Sequence, residues 1–161
     1  MPRLVPAWLG ASLRPVFGYH RLDADRDRVA VKPEYLNPDT LAPPAAPFTY
    51  VVKCGSTAYL AGHVAFDEDN KVVGAGDARR QAEQCWDNIE LAVEGAGGTL
   101  ANVVKIQVFL KDIRFAEAEQ AVRVERFRRI RTPLPACTLV EVSNLGTPEL
   151  LMEIDAVAVI D

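Results

Sequence analysis

Glu153 is the carboxylate whose neighbours best suit it to acid–base chemistry. It stands in the apolar run 150–154, Leu-Leu-Met-Glu-Ile. A carboxylate among apolar side chains has a raised pKa and can transfer protons near neutral pH. Asp155 follows two residues later, so the alternative is that both carboxylates form the polar side of a half-solvated strand. The spacing alone leaves open whether Glu153 is catalytic or structural.

Cys137 is the second candidate, at the point where the chain leaves the proline-rich segment 133–135 and enters a predicted strand. A nucleophilic cysteine needs a base or a cation that lowers the pKa of its thiol. No base is adjacent in sequence, and His63 would have to be brought close by folding. The alternative is a small buried side chain, which is typical of free cysteine. Both interpretations remain open.

A cluster of arginines lies between residues 123 and 131 and suggests RNA binding. These residues also end a predicted helix, where cations interact favourably with the helix dipole. Acidic residues are interspersed, and no aromatic stacking motif accompanies the cluster. We therefore favour a solvated helix face. The arginines are Arg123, Arg126, Arg128, Arg129 and Arg131, and the acidic residues near them are Glu117, Glu119 and Glu125.

The composition limits the class of protein. The chain has 161 residues, of which 49% are hydrophobic and 25% are charged, as expected for one globular domain. Three cysteines and two isolated histidines predict neither a disulfide framework nor a metal site. The net charge of -4 argues against a nucleic-acid-binding protein. We therefore expect a cytoplasmic protein with reduced thiols.

Three sequence motifs of known chemistry and two kinds of apolar segment are missing. There is no glycine-rich phosphate loop, no G-x-S-x-G elbow and no H-E-x-x-H motif. Prolines and arginines interrupt the apolar residues of segment 1–18, so no secretory signal or membrane span is predicted there.

The elements that position these residues follow from hydrophobic periodicity. Residues 50–53 and 57–64 are predicted strands joined by the turn 54–56. The predicted N-cap Asp77 begins a helix that Gly97-Gly98 ends. One apolar stripe is expected to bury this helix: Ala82, Cys85, Trp86, Ile89, Ala92, Val93 and Ala96.

The second half of the chain contains a strand, a helix and two further strands. The third strand is predicted to bury its alternate residues, and a helix follows over 115–131. Two alternating strands are then expected at 137–145 and 150–160. The residues expected to face inward are Val104, Ile106, Val108 and Leu110 on the strand, with Ala118, Val122, Phe127 and Ile130 on the helix.

This order of elements predicts an α+β two-layer sandwich with two helices on one face of a single sheet. The opposite face would carry Phe109, Val157 and Val159, and such a face is usually buried in an oligomer. We expect association, with sites between subunits. Residues 1–46 are interpreted as an irregular, proline-rich N-terminal arm and 47–161 as the domain. The arm is either flexible or packed through its apolar side chains, Trp8, Leu9, Phe17 and Tyr19.

Several stretches, in this order and spacing, resemble the RidA family, also called YjgF and long described as L-PSP endoribonucleases. The resemblance covers roughly residues 47–161. The stretches are Ala61-Gly62-His63, Asp87-Asn88-Ile89, Ala96-Gly97, Val103-Val104-Lys105, Val108-Phe109-Leu110-Lys111-Asp112, the run 135–142 (PACTLVEV) and the run 152–158 (MEIDAVA).

The resemblance implies a chorismate-mutase-like fold assembled as a homotrimer, with clefts at the subunit interfaces. It also implies hydrolysis of reactive imines or enamines to keto acids and ammonia, without a metal or an organic cofactor. In that family an arginine in a P-A-R motif binds the substrate carboxylate, and a glutamate on the last strand handles the attacking water. The matching glutamate here is Glu153, and the position of the arginine is taken by Cys137.

The site implied by the resemblance therefore departs from the family pattern. Phe48 replaces a tyrosine, Ala61 replaces a serine and Gln120 replaces an asparagine, besides Cys137 at the arginine position. The chain looks closer to subgroups without that arginine, whose substrates would be less anionic. The substrate-binding residues expected beside Glu153 are Cys137, Thr138, Leu139, Gly62, Phe48, Phe109, Gln120 and His63.

Two other functions remain alternatives to an enzyme acting on a small imine, enamine or enol-type substrate. One is a non-catalytic trimer that binds small molecules or acts like a chaperone. The other is RNA cleavage, which the arginine cluster suggests. Neither a membrane nor a nucleic acid is an expected partner.

Overall fold

The computed structural model describes residues 31–161, and the part of the expected arm that holds Trp8, Phe17 and Tyr19 lies outside them. Six strands form one mixed sheet in the order β1-β2-β3-β6-β4-β5, in which only β4 and β5 are parallel. The predicted α+β arrangement of one sheet and two helices is confirmed. The elements are β1 Glu34–Leu36, β2 Val51–Cys54, β3 Thr57–Val64, α1 Ala78–Gly95, β4 Val103–Leu110, α2 Ala116–Arg129, β5 Ala136–Glu141 and β6 Met152–Val159.

Local sequence explains where α1 begins and ends. The Asp77 side chain accepts a hydrogen bond from the backbone N–H of Arg80 at 3.0 Å, as an N-cap should. Gly97 follows the helix with φ +87°, a conformation that favours glycine. Every residue of the predicted apolar stripe is buried. The helix therefore packs on the sheet as its periodicity predicted.

The β2–β3 hairpin turns at Gly55, whose φ is +60°. Within β3 the register against β6 shifts between Leu60 and His63, so Ala61 and Gly62 form a β-bulge opposite Asp155. Bulges change the direction of nearby side chains and occur often beside functional sites. Pairing of β3 with β2 extends to Leu60, and the Ala61 N–H donates one further bond to the Tyr50 carbonyl at 2.9 Å, which leaves β3 open on that side from Gly62 onward.

Two predicted core residues are exposed. Val104 is 46% exposed, because the register of β4 against β6 shifts between Val103 and Lys105 and Val103 takes the buried position. Ile130 is 36% exposed, because α2 ends at Arg129 and Ile130 is its C-cap. Ile106, Val108 and Leu110 of β4 are buried as predicted.

The arginine-rich end of α2 is not a wholly solvated face, contrary to the expectation. Glu119 is fully buried, accepts a hydrogen bond from Trp86 Nε1 at 3.3 Å and pairs with the buried Arg123 at 3.3 Å. Arg126 bridges the two helices, with ion pairs to Asp87 at 2.7 Å and to Glu90 at 3.1 Å. Arg126 therefore holds α2 against α1, whereas Arg123 pairs with Glu119 within α2.

The sheet face opposite the helices, called here the open face, exposes apolar side chains. Tyr59 is 53% exposed and Val159 is 42% exposed. The backbone register places Tyr59 beside Val157, and Phe109 between Glu153 and Val140, on this face. Among residues 31–161, no helix is long and apolar enough to cross a membrane.

Candidate functional site

A cavity of about 720 Å³ lies at the end of β3 that has no β2 partner. We call it the β3 cavity. Its walls come from the loop 40–48, the end of β3, one side of α1 and the hairpin 66–70, and Glu153 reaches it from β6. Phe48 was the one residue of this loop predicted at a site, and residues 40–46 before it also contribute to the wall. Earlier in the expected arm, Glu34–Leu36 pairs with β2 as β1.

The Glu153 carboxylate lies directly over Gly62. A Cβ built on Gly62 would stand 2.6 Å from Cδ and 2.9 Å from Cγ of Glu153, which is closer than real atoms approach. Gly62 thus leaves the space through which the glutamate reaches from the open face to the cavity.

The electrostatic setting of Glu153 suits proton transfer. Burial raises the pKa of its carboxyl, and the nearby Asp155 charge raises it further. Asp155 itself accepts hydrogen bonds from Gln107, from the backbone N–H and from Nε2, each at 3.0 Å. None of the described residues hydrogen-bonds the Glu153 carboxylate, so its oxygens remain available to a ligand.

His63 forms part of the cavity wall next to Gly62. It is 2% exposed, and its ring stacks on Tyr50 with centroids 5.5 Å apart and an interplanar angle of 10°. Burial lowers the pKa of His63 to about 4, so the imidazole is neutral at pH 7. Its Nε2 is buried without a hydrogen-bond partner among the described residues.

Three aromatic side chains form part of the cavity wall. Phe48 packs edge-on against Tyr50, with centroids 5.1 Å apart, and Phe66 lies on the hairpin side. The sequence singled out Phe48 but not Tyr50 or Phe66. Large apolar walls with a few polar groups are typical of small-molecule sites.

The turn predicted at residues 67–70 forms the acidic rim of the cavity. Asn70 adopts φ 60°, and its backbone N–H donates to the Asp67 carbonyl at 3.0 Å. The backbone N–H groups of Lys71 and Asp69 donate to the Asp67 carboxylate, and the bond from Lys71 contributes most to lowering its pKa. Asp67 therefore remains ionised at pH 7.

Asn88 on α1 also lines the β3 cavity, although the sequence did not predict it as a site residue. Its Nδ2 donates to the carbonyls of Val64 and Phe66, each at 2.9 Å, and its Oδ1 accepts from Gln84 at 3.1 Å. Asn88 therefore ties the end of β3 to α1 and fixes the shape of the cavity.

The candidate residues of β5 and α2 lie away from this cavity in the same protomer. Cys137 pairs with Ile106 on the helix side of the sheet. In the sheet, Cys137 lies two strands away from Glu153 and three residues further along the strand direction. The strand spacing and the rise per residue put the two residues roughly 14 Å apart. Thr138 is on the open face, where Lys105 Nζ donates to its hydroxyl at 2.6 Å. Leu139 packs against the core, and Gln120 is exposed on α2.

Phe109 is the exception among these distant candidates. Its backbone pairs directly with Glu153 on the open face, although its side chain does not line the cavity. The structure thus brings together Glu153, Gly62, His63 and Phe48, and places Phe109 beside them.

Cys137 is exposed, so the interpretation as a small buried side chain is wrong for the single protomer. A thiol–imidazole pair with His63 is also absent from the protomer, because three strand spacings, roughly 14 Å, separate their strands. Cys85 is buried, and burial raises the pKa of its thiol. All three cysteines are free.

The described residues contain no preformed metal site. Within residues 31–161, no three histidine, cysteine or acidic side chains are grouped so that they could hold a metal ion.

The fold defines a class of α+β protein that solved structures share. The YjgF gene product of E. coli superposes with a TM-score of 0.73 at 27% identity, covering 78% of this chain and 98% of that one. Yeast Mmf1 superposes with a TM-score of 0.73 at 26% identity, covering 81% of this chain and 100% of that one.

The sequence comparison agrees with the fold. The family described as Endoribonuclease L-PSP matches residues 39–160. The chain belongs to this family, the RidA/YjgF family, as the resemblance indicated.

Relatives with named activities are similar over most of their length. The 3-aminoacrylate deaminase RutC of Acinetobacter baylyi is 34% identical over 125 residues, covering 78% of this chain and 96% of that protein. The 2-iminobutanoate/2-iminopropanoate deaminase of Dermatophagoides farinae is 29% identical over 132 residues, covering 81% and 100% respectively. Both names describe the removal of an amino or imino group from a small molecule.

Proposed function

We propose that this protein is a cytoplasmic hydrolase acting on a small reactive imine, enamine or related enol-type metabolite, with Glu153 as its acid–base residue, and that imines and enamines are deaminated. The observation that carries the proposal is the Glu153 carboxylate over Gly62, desolvated and without a hydrogen-bond partner among the described residues. The names of the relatives support the reaction class. No metal and no organic cofactor is required by the steps below.

The reaction can be written with Glu153 alone. The protonated carboxyl, favoured by its raised pKa, donates its proton to the imine nitrogen and makes the carbon electrophilic. A water molecule then attacks that carbon while the carboxylate accepts a proton from it, and the C=N π pair moves to nitrogen. A second transfer of that proton, from Glu153 to nitrogen, makes ammonia the leaving group. As the C–N bond breaks, the Glu153 carboxylate accepts the hydroxyl proton, which leaves the carbonyl product and restores the protonated carboxyl.

We further propose that the working unit is a homotrimer whose subunits complete the site. The exposed apolar side chains of the open face favour association. Within one protomer Cys137, Thr138 and Gln120 lie away from the cavity, so they reach a substrate beside Glu153 only from a neighbouring subunit. Sedimentation of the full chain tests this assembly, since a monomer at micromolar concentration contradicts it.

Imine hydrolysis is tested with two matched substrates. An amino-acid oxidase acting on 2-aminobutanoate releases 2-iminobutanoate, and an amine oxidase acting on propylamine releases propan-1-imine, which differs only by the missing carboxylate. With the oxidase in excess, the rate at which ammonia appears measures hydrolysis of the imine. We expect the protein to raise this rate for at least one substrate well above the rate without protein.

A non-catalytic binding trimer is the second candidate, and the observation that favours it is Cys137 at the position of the family's arginine. It predicts that neither imine is hydrolysed above the rate in buffer, while small molecules still bind. RNA cleavage gains no support from Arg123 and Arg126, because they are paired with Glu119, Asp87 and Glu90.

A further inference from the structure

Three buried polar atoms without hydrogen-bond partners lie on residues that line the β3 cavity. They are His63 Nε2, Asn70 Oδ1 and Thr147 Oγ1. The other such atoms among residues 31–161 belong to Glu119 and Arg123, which form an ion pair with each other. Buried polar atoms normally have hydrogen-bond partners. The presence of three unpartnered atoms around one cavity therefore indicates that a bound ligand supplies their partners.

The chemistry of these atoms favours a ligand that donates hydrogen bonds. Asn70 Nδ2 donates to the Pro43 carbonyl at 3.1 Å, which fixes the orientation of the amide. The unpartnered Oδ1 is an amide oxygen and can only accept a hydrogen bond. In its ionised form, the Glu153 carboxylate also accepts. The hydroxyl of Thr147 and the neutral ring of His63 can act either way.

The charge of the lining points in the same direction. Asp67, Glu68, Asp69 and Glu153 line the cavity, and none of the described lining residues is lysine or arginine. On the exposed rim, Lys71 pairs with Asp69 at 2.8 Å. The Asp67 carboxylate is bound by backbone N–H groups and keeps its charge. A ligand carboxylate would therefore meet repulsion and no paired cation here.

We propose that the β3 cavity binds a neutral or cationic small molecule with N–H donors and no carboxylate, such as an imine or iminium derived from a simple amine. This proposal deepens the proposed function, because it assigns the substrate class of the same site. It also gives a physical meaning to Cys137, since a substrate without a carboxylate does not need an arginine.

Binding of three isosteric probes tests the proposal on the full-length protein. Benzamidine, benzamide and benzoate share a planar aromatic skeleton and carry a cationic, a neutral and an anionic head group. Calorimetric titration at pH 7.5 and low salt should give dissociation constants that rise in that order, with benzoate at least about tenfold weaker than benzamidine. Equal or tighter binding of benzoate would overturn the proposal.

Two variants locate the bound probe. Glu153→Gln and Thr147→Val, which keeps the shape of the side chain, should each weaken benzamidine binding by about fivefold. The controls are Glu117→Gln, an exposed carboxylate on α2, and Thr132→Val beyond that helix, which should bind benzamidine as the wild type does. Wild-type affinity in both cavity variants would contradict the assignment.

The two proposals fail in different ways. Preferred binding of benzamidine without hydrolysis of either imine would refute the hydrolase and support the ligand class. Imine hydrolysis together with preferred binding of benzoate would support the hydrolase and refute the ligand class.

Discussion

The carboxylate of Glu153 occupies the space that a side chain on Gly62 would fill. The β-bulge of β3 and the missing Cβ together let a residue of the open face reach a cavity on the other side of β3. The proposed chemistry depends on this relationship, because Glu153 stands in the cavity only while residue 62 is glycine.

Gly62→Ala should therefore remove activity without unfolding the protein. The new Cβ would collide with the end of a flexible side chain, which can swing away, so the carboxylate is displaced while the strand remains. We expect a 10- to 100-fold loss of imine hydrolysis, on the order of the loss from misplacing a catalytic group by about 1 Å.

A double variant shows whether Gly62 acts through Glu153. If it does, Gly62→Ala combined with Glu153→Gln should be no slower than Glu153→Gln alone. Fully additive losses would show that the glycine has another role.

His63 should make the protein sensitive to acid. Its pKa is about 4 in the folded chain but near the ordinary 6.5 when unfolded, so the unfolded state binds the proton first as the pH falls. Stability should be full above about pH 6.5 and fall by about 3 kcal/mol down to about pH 4. Urea unfolding at several pH values measures this loss.

His63→Phe provides the comparison, because phenylalanine keeps a ring against Tyr50 and cannot titrate. The variant should lose less stability than the wild type over the same range. Identical pH profiles for His63→Phe and the wild type would rule out this account.

The buried Glu119–Arg123 pair should be costly to break on one side. Glu119→Ala leaves a buried guanidinium without its carboxylate and Trp86 Nε1 without its acceptor. We expect the free energy of unfolding to fall by about 3 kcal/mol, measured in urea. Replacing both partners, as Glu119→Leu with Arg123→Met, should recover most of it. A double variant as unstable as the single one would contradict this interpretation.

Cys137→Arg should add activity toward carboxylates if the neighbouring subunit completes the site. We expect at least about a tenfold faster hydrolysis of 2-iminobutanoate, because a guanidinium binds a carboxylate bidentately, with propan-1-imine little changed. Cys137→Ser controls for loss of the thiol and should show no such gain. Equal rates on 2-iminobutanoate for the arginine and serine variants would show that residue 137 does not face the substrate.

The fold was predictable where one rule decides the structure. Asp77 and Gly97 bound α1, and the apolar stripe between them is buried as its spacing predicts. The exposure of Val104 was not predicted, because a bulge in β4 shifts the side-chain alternation. Such a shift depends on pairing with β6 rather than on local sequence. The burial of the Glu119–Arg123 ion pair was not predicted, because it depends on Trp86 from another helix.

The site was predictable only in part, for a similar reason. Glu153 stood out through its apolar neighbours, and Gly62, His63 and Phe48 through the family resemblance. The contributions of Tyr50, Asn70 and Thr147 arise from loops that meet in space, and no local pattern marks them. Nothing in one chain's sequence reports which residues a neighbouring subunit supplies.

Hydrolysis of imine by Glu153→Gln tests the central claim most directly. The variant keeps the size and hydrogen-bonding capacity of the side chain but cannot transfer a proton, so on the imine that the wild type turns over it should lose at least about 100-fold in rate. Glu117→Gln should retain the wild-type rate, and both variants should sediment as the wild type does. A correctly assembled Glu153→Gln protein that hydrolyses the imine at the wild-type rate would contradict the assignment of Glu153 as the acid–base residue.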